Sequence, residues 1–256
     1  MLLRRFLEHL RKQPWTAIGI EFLIVVIGVF VASQVTEWSA AQADRRLGRE
    51  YTARLVSDLE QDLENRRLLV AYYDAVYASA ERAAVLLQEP NPNPKALLVN
   101  AYRASEYAFY PPTRATWDTI VSAGDLRLLP QAAVHNGLAD YFSYDAARDV
   151  LEDMRRTSYR QRVRSLIPHL VQEAIRERCG DTRNDAQEIT GFREDCDLDV
   201  DDAALRSAAQ RLLRDRALSD DLAYQFSTVI AARANLAGDV AFLEGAIAGL
   251  REPAGE

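Results

Sequence analysis

Signatures of catalysis and cofactor binding are scarce in this chain. Histidine occurs three times, at His9, His135 and His169, and cysteine twice, at Cys179 and Cys196. There is no glycine-rich phosphate loop, no Gly-x-Ser-x-Gly elbow, no His-Glu-x-x-His and no Cys-x-x-Cys. That removes the sequence-readable routes to phosphate binding, acyl transfer, zinc hydrolysis and dithiol exchange. A di-metal helical bundle needs Glu-x-x-His pairs. His135 and His169 follow Ala132 and Leu166 at that spacing instead. Lysine is nearly missing: Lys12 and Lys95 stand among 31 basic residues, a bias that reads as GC-rich codon usage. Glycine is sparse, 11 of 256 residues, in a sequence rich in Ala, Leu, Arg and Glu, which favours helix. Beyond residue 14 the chain has 27 basic and 37 acidic residues. That acidic balance argues against nucleic acid as a partner.

What the chain does have is one long apolar run. Trp15 to Trp38 reads WTAIGIEFLIVVIGVFVASQVTEW, apolar without a break from Phe22 to Ala32. As a helix it is about 35 Å long, enough for a hydrocarbon core of about 30 Å. Trp15 and Trp38 bracket it as interfacial anchors. Arg4, Arg5, Arg11 and Lys12 precede it against Glu8 alone. This bias predicts a cytoplasmic tail at 1–14, a transmembrane helix at 15–38 and a periplasmic remainder, in a bacterial inner membrane. The competing reading is a signal peptide cleaved at Val31-Ala32-Ser33; the long leader and Glu21 speak against it. Glu21, Val25, Gly28, Ala32 and Val35 share one helical stripe. Gly28 and Ala32 form a small-xxx-small pair for helix packing, with Glu21 able to hydrogen-bond a partner or a second copy. Protonation or snorkelling of Glu21 is the equally simple alternative.

Glu21, Val25-Val26-Ile27-Gly28, Ala32, Gln34-Val35 and Trp38 together resemble the N-terminal signature of a family of uncharacterised bacterial single-pass membrane proteins. Tyr51, Leu55, Asp58-Leu59 and Asp62 fit the same pattern, as does Trp117 through Ser122-Ala123-Gly124-Asp125-Leu126. That family usually places Asn where this chain has Thr36, Glu37 and Ser39. The resemblance implies an anchored helical domain and no established activity.

Residues 39–88 contain no proline and read as one helix continuing the anchor. Leu63, Val70, Tyr73, Tyr77, Ala80, Ala84 and Leu87 predict a coiled-coil-like seam, extended by Tyr51, Leu55 and Leu59, with Arg66 as a break. Glu-Pro-Asn-Pro-Asn-Pro at 89–94 ends it. Short helices are expected at 95–107 and 115–123, the second stopped by Gly124. Pro130 suits a first helical position. A second long helix is expected over 131–178, kinked or split at Pro168. A cysteine loop at 179–200 follows, then a helix over 203–215 capped by Asp201 or Asp202. A last helix begins at the Ser219-Asp220-Asp221 cap and runs to about Leu250, leaving a frayed tail at 251–256. No strand and no repeat is expected. The fold class is therefore all-α: a transmembrane helix continuous with an antiparallel helical bundle over 39–250.

Cys179 and Cys196 are expected to form a disulfide in an oxidising compartment, in preference to free thiols or half a metal site. Asp197, Asp199 and Asp201 match the first ligands of a calcium loop. Asp202 then stands in the place of its glycine and Ala208 in that of its last Glu, so a solvated loop is expected. Asp58, Glu60, Asp62 and Glu64 read as solvated helix surface. Tyr72, Tyr73, Tyr77, Tyr107, Phe109, Tyr110 and Trp117 read as core in preference to the lining of a ligand pocket. No catalytic residue, metal or cofactor is expected. The favoured function is a non-enzymatic, membrane-tethered interaction protein that binds another envelope protein or itself. The runner-up is a ligand-sensing periplasmic bundle that signals through a partner span, and an enzyme comes third.

Overall fold

The computed structural model describes residues 15–143 and 146–252, without the side chains of residues 15–18 and 146–147. His9, the N-terminal basic residues and the Trp15 indole lie outside this description. Helix α1 runs unbroken over Trp15–Gln88. The chain divides into two compact units, residues 1–50 and 51–256.

Within the second unit, helices α2 (Pro94–Arg103) and α3 (Ala115–Ala123) follow the proline connector. Asn93 caps α2, its side chain accepting from Ala96 N at 3.0 Å. Gly124 ends α3 at φ 74°, the left-handed conformation that glycine adopts without Cβ strain.

The single long helix expected at 131–178 is instead a chain of short ones. These are α4 (Gln131–Ala133), a π turn (Val134–Leu138), α5 (Ala139–Ser143), α6 (Ala146–Met154), α7 (Ser158–Leu166) and α8 (His169–Cys179). Gly137, at φ 101°, makes one break. Thr157 makes another by accepting from Arg160 N and starting α7. Pro168 makes the third and heads α8.

The cysteine loop holds a small antiparallel hairpin, β1 (Asp181–Arg183) with β2 (Ile189–Phe192), where no strand was expected. Its strands are too short to leave a readable alternation. Helix α9 (Asp202–Arg214) is capped by Asp201, which accepts from Ala203 N and Ala204 N. Helix α10 covers Ala217–Arg251 and starts two residues before the expected cap. Asp215, not Ser219, supplies the cap by accepting from Leu218 N at 3.1 Å. Arg251 belongs to α10 and pairs with Glu60 rather than to a frayed tail.

Two helices carry the core. On α10 the buried residues Leu218, Leu222, Gln225, Val229, Ala232 and Leu236 alternate three and four apart. On α1 the buried stripe is Leu55, Leu59, Asp62, Arg66, Leu69, Tyr73, Val76, Ala80 and Ala83. Of the expected seam, Tyr51, Leu55, Leu59, Tyr73 and Ala80 are buried, whereas Leu63, Val70, Tyr77, Ala84 and Leu87 are only partly so. Arg66 does not break the stripe. It belongs to it, at 1% exposure.

Around Leu86, Leu97, Tyr159, Ile175 and Leu212 lies one apolar cluster, and around Leu69, Tyr72, Met154 and Val229 another. Burial of each such side chain contributes on the order of 1.5–3 kcal/mol, offset mostly by ordering entropy.

Candidate functional site

In the first unit, α1 presents an apolar surface on which none of the described residues packs. From Ile20 to Trp38 its large apolar side chains are between 46% and 70% exposed. Glu21, Val25, Gly28, Ala32 and Val35 are all exposed. A Cβ added at Gly28 would meet nothing within 4 Å. The two hydroxyls in this stretch are satisfied by the helix itself, Ser33 donating to Phe30 O at 2.8 Å and Thr36 to Ala32 O at 2.9 Å. Such back-bonding is how a helix without water near it accommodates hydroxyls. By length and composition alone, two helices among the described residues could cross a membrane, this one and α10. They differ in surroundings: none of the apolar window of α1 is buried, against 22% of that in α10.

In the second unit, polar side chains gather at one level of α1. Asp62 is 2% exposed and accepts from Thr113 N at 2.9 Å, Thr113 Oγ1 at 2.7 Å and Tyr141 Oη at 3.0 Å. This corrects its reading as solvated surface. Burial raises the Asp62 carboxyl above the usual range, against the lowering effect of Thr113, Tyr141 and Arg66. Burial also raises the Tyr141 phenol strongly. One turn along, Arg66 donates to Asp239 at 2.9 Å and to Tyr110 O at 2.7 Å. The cluster ties α1 to α10, to α5 and to the 109–113 segment. The three bonds of Asp62 join α1 to the 109–113 segment and to α5.

Cys179 and Cys196 are joined, with Cα atoms 4.8 Å apart, as expected. Arg103 reinforces the closed loop by donating to Cys179 O at 2.8 Å, with its guanidinium over Phe192. Beside the hairpin lies a polar cleft of about 410 Å³ lined by Glu106, Arg176, Gly180, Asp181 and Arg183. Tyr72, fully buried, donates to Asp181 at 3.1 Å from below. Burial, with Glu106 adding to it, raises the Asp181 carboxyl. Glu106 is held by Arg160 and Arg164. The lining thus brings two carboxylates, Glu106 and Asp181, and two guanidinium groups, Arg176 and Arg183, to one cleft.

His135 is exposed and contacts Gln131 O at 2.7 Å, and His169 is exposed at the start of α8. Asp197 is 98% exposed and pairs with Lys95, while Asp201 serves as a cap. Among the described residues no group of three or more His, Cys, Asp or Glu is placed to hold a metal ion. Tyr72, Tyr73 and Trp117 are buried, and Tyr77, Tyr107, Phe109 and Tyr110 partly so, which makes them core residues. Sequence reasoning places Tyr141 on an inner helix side but misses its bond to Asp62, and misses Thr113 and Asp239 as partners; the one available signal was a carboxylate and an arginine four residues apart at 62 and 66. No family model, no curated protein and no solved structure matches this chain.

Proposed function

We propose that this is a single-pass membrane protein of the inner membrane whose extracytoplasmic helical bundle acts by binding, without catalysis. Its partner is another envelope protein or a second copy. The observation that carries the reading is the exposed apolar surface from Ile20 to Trp38. Twelve large apolar side chains left in water along one helix is far more than a monomeric soluble protein exposes in one patch. A lipid environment removes that cost. The family resemblance at Glu21, Val25–Gly28, Gln34-Val35 and Trp38 supports the same architecture.

Two measurements on cells making the full chain test it. Alkaline carbonate extraction should leave the chain in the membrane pellet at its full mass. A photoreactive residue at Val25 or Gly28 should crosslink to a distinct protein or to the chain itself. Release of the chain into the soluble fraction, or loss of the first 30 or so residues to a signal peptidase, would overturn the anchor.

A further inference from the structure

The polar cleft beside the β1–β2 hairpin takes its walls from three places in the second unit. Glu106 stands just after α2, Arg176 near the end of α8, and Asp181 and Arg183 on β1. Gly180 forms the corner between α8 and β1, and no apolar side chain lines the cleft. The corner has room for glycine alone, because a Cβ there would collide with the Arg176 carbonyl oxygen. The Cys179–Cys196 bridge fixes it from one side, and Arg193 N, donating to Gly180 O at 3.1 Å, from the other. The groups are therefore held in place before any ligand arrives.

They are also not used up by one another. Asp181 offers Oδ1 to the buried Tyr72 hydroxyl at 3.1 Å. Arg183 donates from Nη1 to Gln187 O at 2.6 Å, which leaves Nε and Nη2. The Arg176 guanidinium is exposed and donates to none of the described residues. Glu106 is braced by Arg160 and Arg164, and it still acts on the neighbouring Asp181 carboxyl.

This set of charges selects against simple ions. A plain anion in the cleft meets Glu106 and Asp181, and a plain cation meets Arg176 and Arg183. Like charges placed together away from water are strongly disfavoured. A small molecule carrying both signs a few bonds apart avoids both repulsions. Guanidinium groups take a carboxylate through two parallel bonds. Two neighbouring carboxylates suit an ammonium group, which has three donors. The volume of about 410 Å³ is within the usual range for small-molecule sites and holds an amino acid with its side chain.

We propose that this cleft binds a zwitterion of the free α-amino acid class, its carboxylate on Arg176 and Arg183 and its ammonium group on Asp181 and Glu106. The site lies wholly within residues 51–256 and does not depend on the apolar surface of α1.

The test is a thermal-shift screen of the full chain in detergent against the common L-amino acids. Each hit is followed by calorimetry with its deaminated acid and its decarboxylated amine. At least one amino acid should raise the melting temperature. Both half-ligands should bind about tenfold more weakly or worse, because each leaves one pair of charges unanswered. Arg176→Gln and Asp181→Asn should each weaken the amino acid by about tenfold as well. Their unliganded melting temperatures should stay near that of the native chain, because Arg176 is exposed and an amide at 181 still accepts from Tyr72. No shift from any amino acid at about 10 mM, ample for a weak site, would overturn the proposal. Equal binding of the deaminated acid would overturn it too, since that describes a plain anion site. So would undiminished binding in both variants, which puts the ligand elsewhere. Release from the membrane in the carbonate test would leave these outcomes unchanged.

Discussion

Arg66 and Asp239 are 173 residues apart in the chain and meet as an ion pair, Arg66 Nε donating to Asp239 Oδ2 at 2.9 Å. The arginine is 1% exposed and the aspartate 22%. Arg66 also donates to Tyr110 O, so three segments converge on one guanidinium. Its planar fork suits this task better than a lysine would, because it donates in several fixed directions.

Truncating Arg66 strands a carboxylate and a carbonyl in the interior. Arg66→Ala should cost about 3 kcal/mol in urea unfolding. Replacing both partners, Arg66→Leu with Asp239→Leu, should recover most of that loss. A double variant as weak as the single one would mean that the pair contributes more than it costs to desolvate.

Asp62 sets a pH dependence of unusual sign. Its folded value is raised above the 3.8 of an ordinary Asp, because burial outweighs the bonds from Thr113 and Tyr141. The folded state thus takes up a proton more readily than the unfolded state. The contribution is fully present below 3.8 and is lost as pH rises through the raised value. The stability of the protein relative to Asp62→Asn should therefore improve as pH falls from neutral towards about 4. Urea midpoints of the two proteins across that range check it. The opposite slope would mean that the three hydrogen bonds dominate.

The Cys179–Cys196 bridge closes a loop of sequence separation 17. Cys196→Ser should lower stability by about 3 kcal/mol in the chain-entropy account. Amide exchange should rise first in the β1–β2 hairpin, while α1 keeps its protection. Equal exchange throughout would show that the bridge supports the whole unit.

Gly137 holds a break that only glycine accommodates well. Its φ is 101°, and an added Cβ would stand 3.3 Å from Phe242 Cε2. Gly137→Ala should cost about 1–2 kcal/mol in thermal or urea unfolding, from strain plus crowding. Gly245→Ala, with open space at its Cβ, is the control and should be stabilising or neutral.

Some features of this chain are local and could be read directly. The apolar run, the Pro-rich connector, Asp201 as a cap, Gly124 as a stop and the pairing of the two cysteines all follow from neighbours in sequence. The all-α class follows from composition and period. The α1 stripe around residues 62–66 does not, because hydrophobic pattern assigns charged residues to water. At Asp62 and Arg66 the pattern is overridden by partners 79 and 173 residues away. The same holds for α10, whose Arg233 and Asp239 are drawn to Asp74 and Arg66 of α1.

By itself, then, the sequence determined most of the helical segments, where the strongest stops fall, and which run is the longest apolar one. Each of these depends on spacing along one element. The tertiary structure alone decided which charges are buried and how the 131–178 stretch divides. It also decided which charged side chains meet in the cleft beside the hairpin. Those outcomes depend on side chains far apart in the chain, and a carboxylate is tolerated in a core only when such partners reach it.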